Sequence, residues 1–259
     1  MNDVLEVRAV AAGGTRAFTA VWRARVLGVS AILIITATAL ALVPIGIVTA
    51  FRARRLYSRI AALAAVGVLR LYGIRVRVLP RWSFPREQVI YISNHSSTLD
   101  LFVLVALGLP NCRFFLSGFL RKFVPLGAIA WMMGTFFTVP QDRPEERRQI
   151  FQRAERVLRR TRESVYLSPE GGRITSGEIG HFNKGAFHLA TNLHVPIVPL
   201  YFEIPPDMDP GRGYDARPGD VIVHIMPSID TGEWTLEDLP SNVASVRDLY
   251  VRRHRVRHA

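Results

Sequence analysis

Val89-Ile90-Tyr91-Ile92-Ser93-Asn94-His95-Ser96-Ser97-Thr98-Leu99-Asp100 passes from an apolar run into a polar turn and then into a second apolar stretch, Leu99–Leu107. A short unbroken run of β-branched and aromatic residues reads as a strand, and the longer stretch after the turn reads as a helix. The same alternation continues in both directions. Strands are expected over Arg75–Leu79, Val89–Ser93, Phe114–Ser117, Thr135–Val139, Ser164–Ser168, Ile197–Phe202 and Val221–Met226. Helices are expected over Leu99–Leu107, Leu120–Met132, Pro144–Arg162, Gly185–Asn192 and Val243–Val256. The third helix has the clearest start: Asp142 can cap it, Pro144 suits its first turn, and Glu145 and Glu146 sit at its positive end. Strands alternating with helices predict an α/β fold, a mixed central sheet flanked by helices.

Upstream the texture differs. Val26–Ala50 contains no charged residue, and as a helix it would be about 37 Å long, enough to cross a ~30 Å hydrocarbon core. It is longer than the core of a secretory signal. Arg16, Arg23 and Arg25 on one flank nearly balance Arg52, Arg54, Arg55 and Arg59 on the other, so flanking charge does not decide the orientation. Two readings stand: a single span, and a re-entrant dip turning at Pro44-Ile45-Gly46. Tyr57–Tyr72 has apolar residues at helical spacing with Arg59 and Arg70 among them, which fits an interfacial amphipathic helix and a core-packing helix equally. The expected organisation is therefore a membrane anchor over residues 1–72 and one α/β domain over residues 73–259.

Of the 259 residues, 49% are hydrophobic and 21% charged, which excludes a disordered chain and allows a substantial core. Lys plus Arg number 33 against 21 Asp plus Glu, a net charge of +12 that favours anionic partners. The arginines are dispersed and no nucleic-acid reading motif is present, so nucleic acid is not expected as a partner. A basic tail, Arg252–His258, reads as a solvated end or an anionic-lipid contact. Cys112 is the only cysteine, which excludes an intrachain disulfide and a cysteine-cluster zinc site and fits a reducing compartment.

Four segments carry the chemistry. His95, at a strand end with Asp100 five residues on, is either a cap-bonded histidine or a general base oriented by a carboxylate, and spacing alone does not choose. Ser168-Pro169-Glu170-Gly171-Gly172-Arg173 offers backbone amides that approach an anion closely and an arginine to grip phosphate, with Glu170 free to bind acceptor hydroxyls or hold Arg173. Gly134–Arg143 brings Arg143 to a helix N-terminus as a second phosphate clamp or a solvated cap. Val195-Pro196-Ile197-Val198-Pro199-Leu200 has two prolines that argue against a central ladder and for an edge, a bulge or the wall of an acyl channel. Lys184 lies between the second and fourth segments, one of only two lysines.

In this order the segments resemble the glycerolipid acyltransferase family that includes the lysophosphatidate acyltransferases. Its blocks Asn-His-x4-Asp, Gly-x-x-Phe…Arg, Phe-Pro-Glu-Gly-Thr-Arg-Ser and Val-Pro-x-x-Pro match Asn94-His95…Asp100, Gly134…Phe137…Arg143, Pro169-Glu170-Gly171-Gly172-Arg173 and Val195-Pro196-Ile197-Val198-Pro199. Gly172 stands where those enzymes usually have Thr, and Ile174 where they have Ser. The Glu-Gly-Gly-Arg form is similar to the glycerol-3-phosphate acyltransferase version.

The resemblance implies an O-acyltransferase of phospholipid biosynthesis with His95 and Asp100 as catalytic residues. Asn94, Arg143, Glu170, Gly171, Gly172, Arg173 and Lys184 become the substrate-binding set, and amides near Gly171-Gly172 become oxyanion donors. The co-substrate is acyl-CoA or acyl-carrier protein, the acceptor a lysophospholipid such as 1-acyl-glycerol-3-phosphate or glycerol phosphate. No metal or redox cofactor is required. The location it implies is the inner membrane, with the catalytic domain on its cytoplasmic side. The rival readings are transacylation or acylation of another lyso-lipid, and a basic membrane protein that binds anionic lipid without catalysis.

Overall fold

The structure, a computed structural model, describes residues 2–80, 84–209 and 216–258. The side chains of Arg16, Arg257 and His258, named above for the flank and the tail, lie outside the described residues. Among these residues one seven-stranded sheet forms from β1 (Ile74–Leu79), β2 (Ile90–Ser93), β3 (Cys112–Ser117), β4 (Phe136–Thr138), β5 (Ser164–Leu167), β6 (Ile197–Glu203) and β7 (Gly219–Ile225). Its order is β1-β7-β6-β2-β5-β3-β4, with β6 and β7 antiparallel and every other pair parallel, the mixed sheet expected. The helices are α1 (Asn2–Val48), α2 (Arg54–Leu71), α3 (Asp100–Ala106), α4 (Val124–Met132), α5 (Pro144–Thr161), α6 (Gly185–Leu193) and α7 (Leu239–His258).

β2 is buried on both faces, which is why it reads as an uninterrupted apolar run. Ile90, Ile92, Val165, Leu167 and Ile197 form one core with α5, α6 and α7, while Tyr91, Tyr166 and Val198 form the other with α1, α2, α3 and α4. Each such side chain contributes roughly 1.5–3 kcal/mol relative to exposure.

α1 runs without a break through Pro44, so the chain does not reverse at Pro44-Ile45-Gly46. It turns at 49–53 instead, where Ala50 and Phe51 take φ of 47° and 56° and the Phe51 N–H reaches the Gly46 carbonyl at 2.7 Å. Within α1, Val21–Val48 is long and apolar enough to cross a bilayer, with a mean hydropathy of 2.6. Only 22% of its most apolar window is buried, whereas the core helix of a soluble protein buries most of itself. Ala31, Ala39 and Leu42 face the protein, and Leu33, Leu40 and Val48 face outward. α2 packs Tyr57, Ala61, Val68 and Leu69 into the core and leaves Leu56 and Leu63 exposed.

Three local expectations need correction. The helix expected over Leu120–Met132 is a short 3-10 turn, Gly118–Lys122, followed by α4, because Pro125 in the first turn of α4 cannot donate back into a preceding helix. Asp142 is not the cap of α5: Pro144 occupies the first helical turn, so the cap is Arg143, which makes no side-chain cap bond. β6 is neither edge nor bulge but lies between β7 and β2, with Pro199 opposite Ile92. The Pro199 carbonyl accepts from Met226 N–H at 2.9 Å, one residue past the end of β7. A residue's N–H and C=O point to the same side of a strand, so the missing donor faces Met226, beyond the end of β7, and the ladder to β2 stays intact.

Candidate active site

β2 and β5 are parallel neighbours, so the segments that follow them emerge side by side at the C-terminal edge of the sheet, where open α/β sheets hold ligands. His95 follows β2 and Glu170 to Arg173 follow β5. The His95 N–H donates to Glu170 Oε2 at 2.5 Å, and the His95 carbonyl accepts from Ile174 N–H at 2.8 Å. The Glu-Gly-Gly-Arg turn thus brackets the histidine.

His95 Nδ1 lies 2.7 Å from Asp100 Oδ2. That oxygen also accepts the backbone N–H of Ser96 at 2.9 Å and of Ser97 at 3.1 Å. An oxygen already accepting two amides acts as a carboxylate acceptor, so Nδ1 is the donor and Nε2 is left with its lone pair. Asp100 is buried at 4% side-chain exposure while the His95 side chain is 34% exposed, so the ring is fixed from behind and open in front. Such an arrangement can take a proton from a hydroxyl.

Glu170 has a different task from the two expected of it. Its Oε1 accepts from Gly180 N–H at 2.8 Å and its Oε2 from His95, which makes it a brace between two loops. Burial pushes its carboxyl above the usual value, against the pull of those two amides. Asn94 is likewise engaged with the frame: its Oδ1 accepts from Phe202 N–H at 2.7 Å and its Nδ2 donates to Phe202 O at 3.0 Å, tying the ends of β2 and β6. The Gly171 N–H closes its own turn onto Ser168 O at 3.2 Å, so of the two glycines it is Gly172 whose amide is uncommitted. Gly171 has φ +70°, and a Cβ there would stand 2.8 Å from Asn183 Nδ2 and 3.1 Å from Gln141 Nε2. Arg173 is exposed on this turn. Arg143 is exposed and paired with Glu146 at 3.4 Å, and Lys184 is exposed at the start of α6.

Two supports were not visible in the sequence. Asp209 Oδ2 accepts from Ser97 Oγ at 2.5 Å, Thr98 N at 2.6 Å and Thr98 Oγ1 at 2.7 Å, fastening the turn between His95 and Asp100. Arg247 on α7 donates to Gly180 O at 2.7 Å and Ile179 O at 2.8 Å, which completes a line from α7 through Gly180 and Glu170 to His95. Arg247→Ala is expected to lower kcat about ten- to a hundredfold with little change in KM, because it loosens a brace and touches no substrate; Arg247→Lys should recover part of the loss. An unchanged kcat at full folding would remove Arg247 from this line.

Residues 75–203 match the family model described as Acyltransferase. The chain carries an acyltransferase-family domain. All four blocks named above fall within that range. The 1-acyl-sn-glycerol-3-phosphate acyltransferase of Limnanthes alba is 29% identical over 188 residues, covering 71% of this chain and 65% of that protein. That of Saccharomyces cerevisiae is 32% identical over 185 residues, covering 70% and 60%. The chain thus spans just under two thirds of the length of these relatives. The crystal structure of the 1-acyl-sn-glycerophosphate acyltransferase of Thermotoga maritima shares the fold with a TM-score of 0.66, covering 88% of this chain and 96% of that one at 18% identity. In this acyltransferase domain the dyad and the Glu-Gly-Gly-Arg turn share one edge of the sheet.

Proposed function

We propose that the protein transfers a fatty acyl group from an acyl thioester to the free hydroxyl of a lysophospholipid of the 1-acyl-glycerol-3-phosphate class. The single observation that carries this reading is the buried Asp100 behind a half-open His95, bracketed by the Glu-Gly-Gly-Arg turn of an acyltransferase-family domain. His95 Nε2 takes the hydroxyl proton as the oxygen attacks the thioester carbonyl. The tetrahedral intermediate then collapses, the C–S bond breaks, and the proton passes to the departing thiolate. The Gly172 amide is the oxyanion donor in this scheme, and Arg173 holds the acceptor phosphate beside the ring. A thioester is already activated, so the reaction draws on neither a metal nor a redox group. α1 holds the enzyme in the membrane, with residues 1–72 as anchor, residues 73–259 as the catalytic unit and the site on the cytoplasmic face of the inner membrane.

The test is the full chain in detergent with a labelled acyl thioester and two acceptors, 1-acyl-glycerol-3-phosphate and glycerol-3-phosphate, with products identified by mass. Diacylated phosphate product from the first acceptor is expected; product from the second alone would move the acceptor to glycerol-3-phosphate, and none from either would end the proposal. Arg173→Ala should raise acceptor KM about tenfold or more and leave thioester KM unchanged. An equal rise in both would shift Arg173 to the donor side.

A further inference from the structure

A cleft of about 590 Å³ opens between the N-terminal half of α5 and α6, within the usual size range of small-molecule sites. Gln141, Arg147, Arg148, Asn183, Lys184 and His188 line it. Its one carboxylate, Glu155, is already engaged, accepting from Arg159 Nη2 at 3.0 Å and Asn192 Nδ2 at 2.9 Å. Among the described residues no carboxylate lies within ion-pair distance of Arg147, Arg148 or Lys184. α6 begins here without a side-chain cap or an acidic residue in its first turn, which adds one positive dipole end to three cations, whereas Glu145 and Glu146 offset the start of α5. Burial, and then the Lys184 ammonium beside it, hold His188 below its usual value, leaving it a neutral hydrogen-bonding ring at pH 7. Three cations without an ion-pair partner among the described residues, beside the open end of α6, call for an anion with several phosphate oxygens.

The cleft adjoins the reacting centre. Gln141 and Asn183 line it and also abut Gly171, the residue next to the glutamate that braces His95. It also lies on the α5–α6 face of the sheet, opposite the face that packs α1 to α4. An acyl thioester has an apolar chain that belongs with the lipid-facing side and a charged carrier that does not.

We propose that this cleft binds the adenosine 3′,5′-bisphosphate end of an acyl-coenzyme A donor. Arg147, Arg148 and Lys184 neutralise the phosphates, and Gln141, Asn183 and His188 supply hydrogen bonds. This assigns Lys184, part of the substrate-binding set that the resemblance implies, to the donor. The inference rests on the acyl-transfer reading, so the test includes a measurement that needs no turnover. Titration calorimetry of the full chain in detergent with adenosine 3′,5′-bisphosphate should show binding that weakens about tenfold or more in the Arg148→Ala/Lys184→Ala double variant, both residues being exposed and free of structural bonds. In turnover the same nucleotide should compete with acyl-CoA and not with the lysophospholipid. Nucleotide binding equal in wild type and variant, or competition with the acceptor, would overturn the assignment. No nucleotide binding combined with salt-sensitive binding of an acidic carrier protein would also overturn it. Nucleotide binding that is lost in the variant, in a protein that transfers no acyl group, would uphold the cleft and end the acyl-transfer reading.

Discussion

His95→Ala should reduce acyl transfer by about 10²–10⁴-fold while leaving the protein folded in detergent, since the ring supplies the proton acceptor and only partly contributes to packing. Asp100→Asn should come close to the same loss by a different route. The carboxylate oxygen receives three hydrogen bonds, from the ring and from the Ser96 and Ser97 amides. An asparagine can keep all three by placing its carbonyl oxygen there, but its NH2 then takes the place of Oδ1, which is buried without a hydrogen-bond partner, and the negative charge behind the ring is gone. The ring keeps its orientation but loses the carboxylate that stabilises the imidazolium formed when Nε2 takes the hydroxyl proton. The measurement is single-turnover transfer of a labelled acyl group alongside circular dichroism. Near-normal turnover in either folded variant would remove the dyad assignment, whereas loss of fold in Asp100→Asn alone would leave the His95 result to decide it.

The largest expected stability effect lies away from the site. Glu163 sits between Arg113, whose Nε is 2.7 Å from Oε2, and Arg54 of α2, whose Nε is 3.3 Å from Oε1. Arg113 also donates to Gly134 O at 3.1 Å, and Gly134, at φ +77°, leaves room for both arginines: a Cβ there would stand 2.7 Å from Arg54 Cδ and 2.8 Å from Arg113 Nη1. The glycine of the second family block is thus a packing residue. Glu163→Ala strands a guanidinium that is 9% exposed and should cost about 3–5 kcal/mol in chemical denaturation, whereas the joint Glu163→Leu/Arg113→Met change should cost far less. Burial raises the Glu163 carboxyl, but the hydrogen bond and charge of Arg113 outweigh it and hold the group below its ordinary value of 4.5. A depressed carboxylate stabilises the fold above its unfolded value and loses that contribution as pH falls through the folded one. The gap between wild type and Glu163→Ala should therefore be full at neutral pH and narrow only on acidification below about pH 4. A gap independent of pH would mean the loss is one of packing.

What was legible in the sequence was local. Seven short runs marked seven strands, β2 and β5 as unbroken buried stretches and β1 as an alternation of exposed arginines with half-buried valines, and His95 with Asp100 could be paired because five residues of turn return the carboxylate to the ring. Long-range contacts were not legible. Nothing in Pro205-Pro206-Asp207-Met208-Asp209 tells which aspartate reaches the Ser97 hydroxyl, and Arg247 looks like any other cation on a basic helix. The place of Pro199 was hidden for a similar reason, since the register at which β7 ends beside β6, which sequence order does not reveal, decides whether a missing donor matters. The bonds of Glu170 were hidden in the same way: its block suggests acceptor hydroxyls or Arg173 as partners, and only the fold brings the Gly180 and His95 amides to its two oxygens.

The histidine loop is held by segments made long after it: Asp209 fastens it from 112 residues downstream of Ser97, and Arg247 and Tyr250 of α7 reach Gly180 O and Ile92 O. In translation the histidine loop is made after α1 and well before α7. A chain made only as far as α3 already has the ring and its aspartate but none of these outer supports, so the loop is expected to set only once α7 has docked.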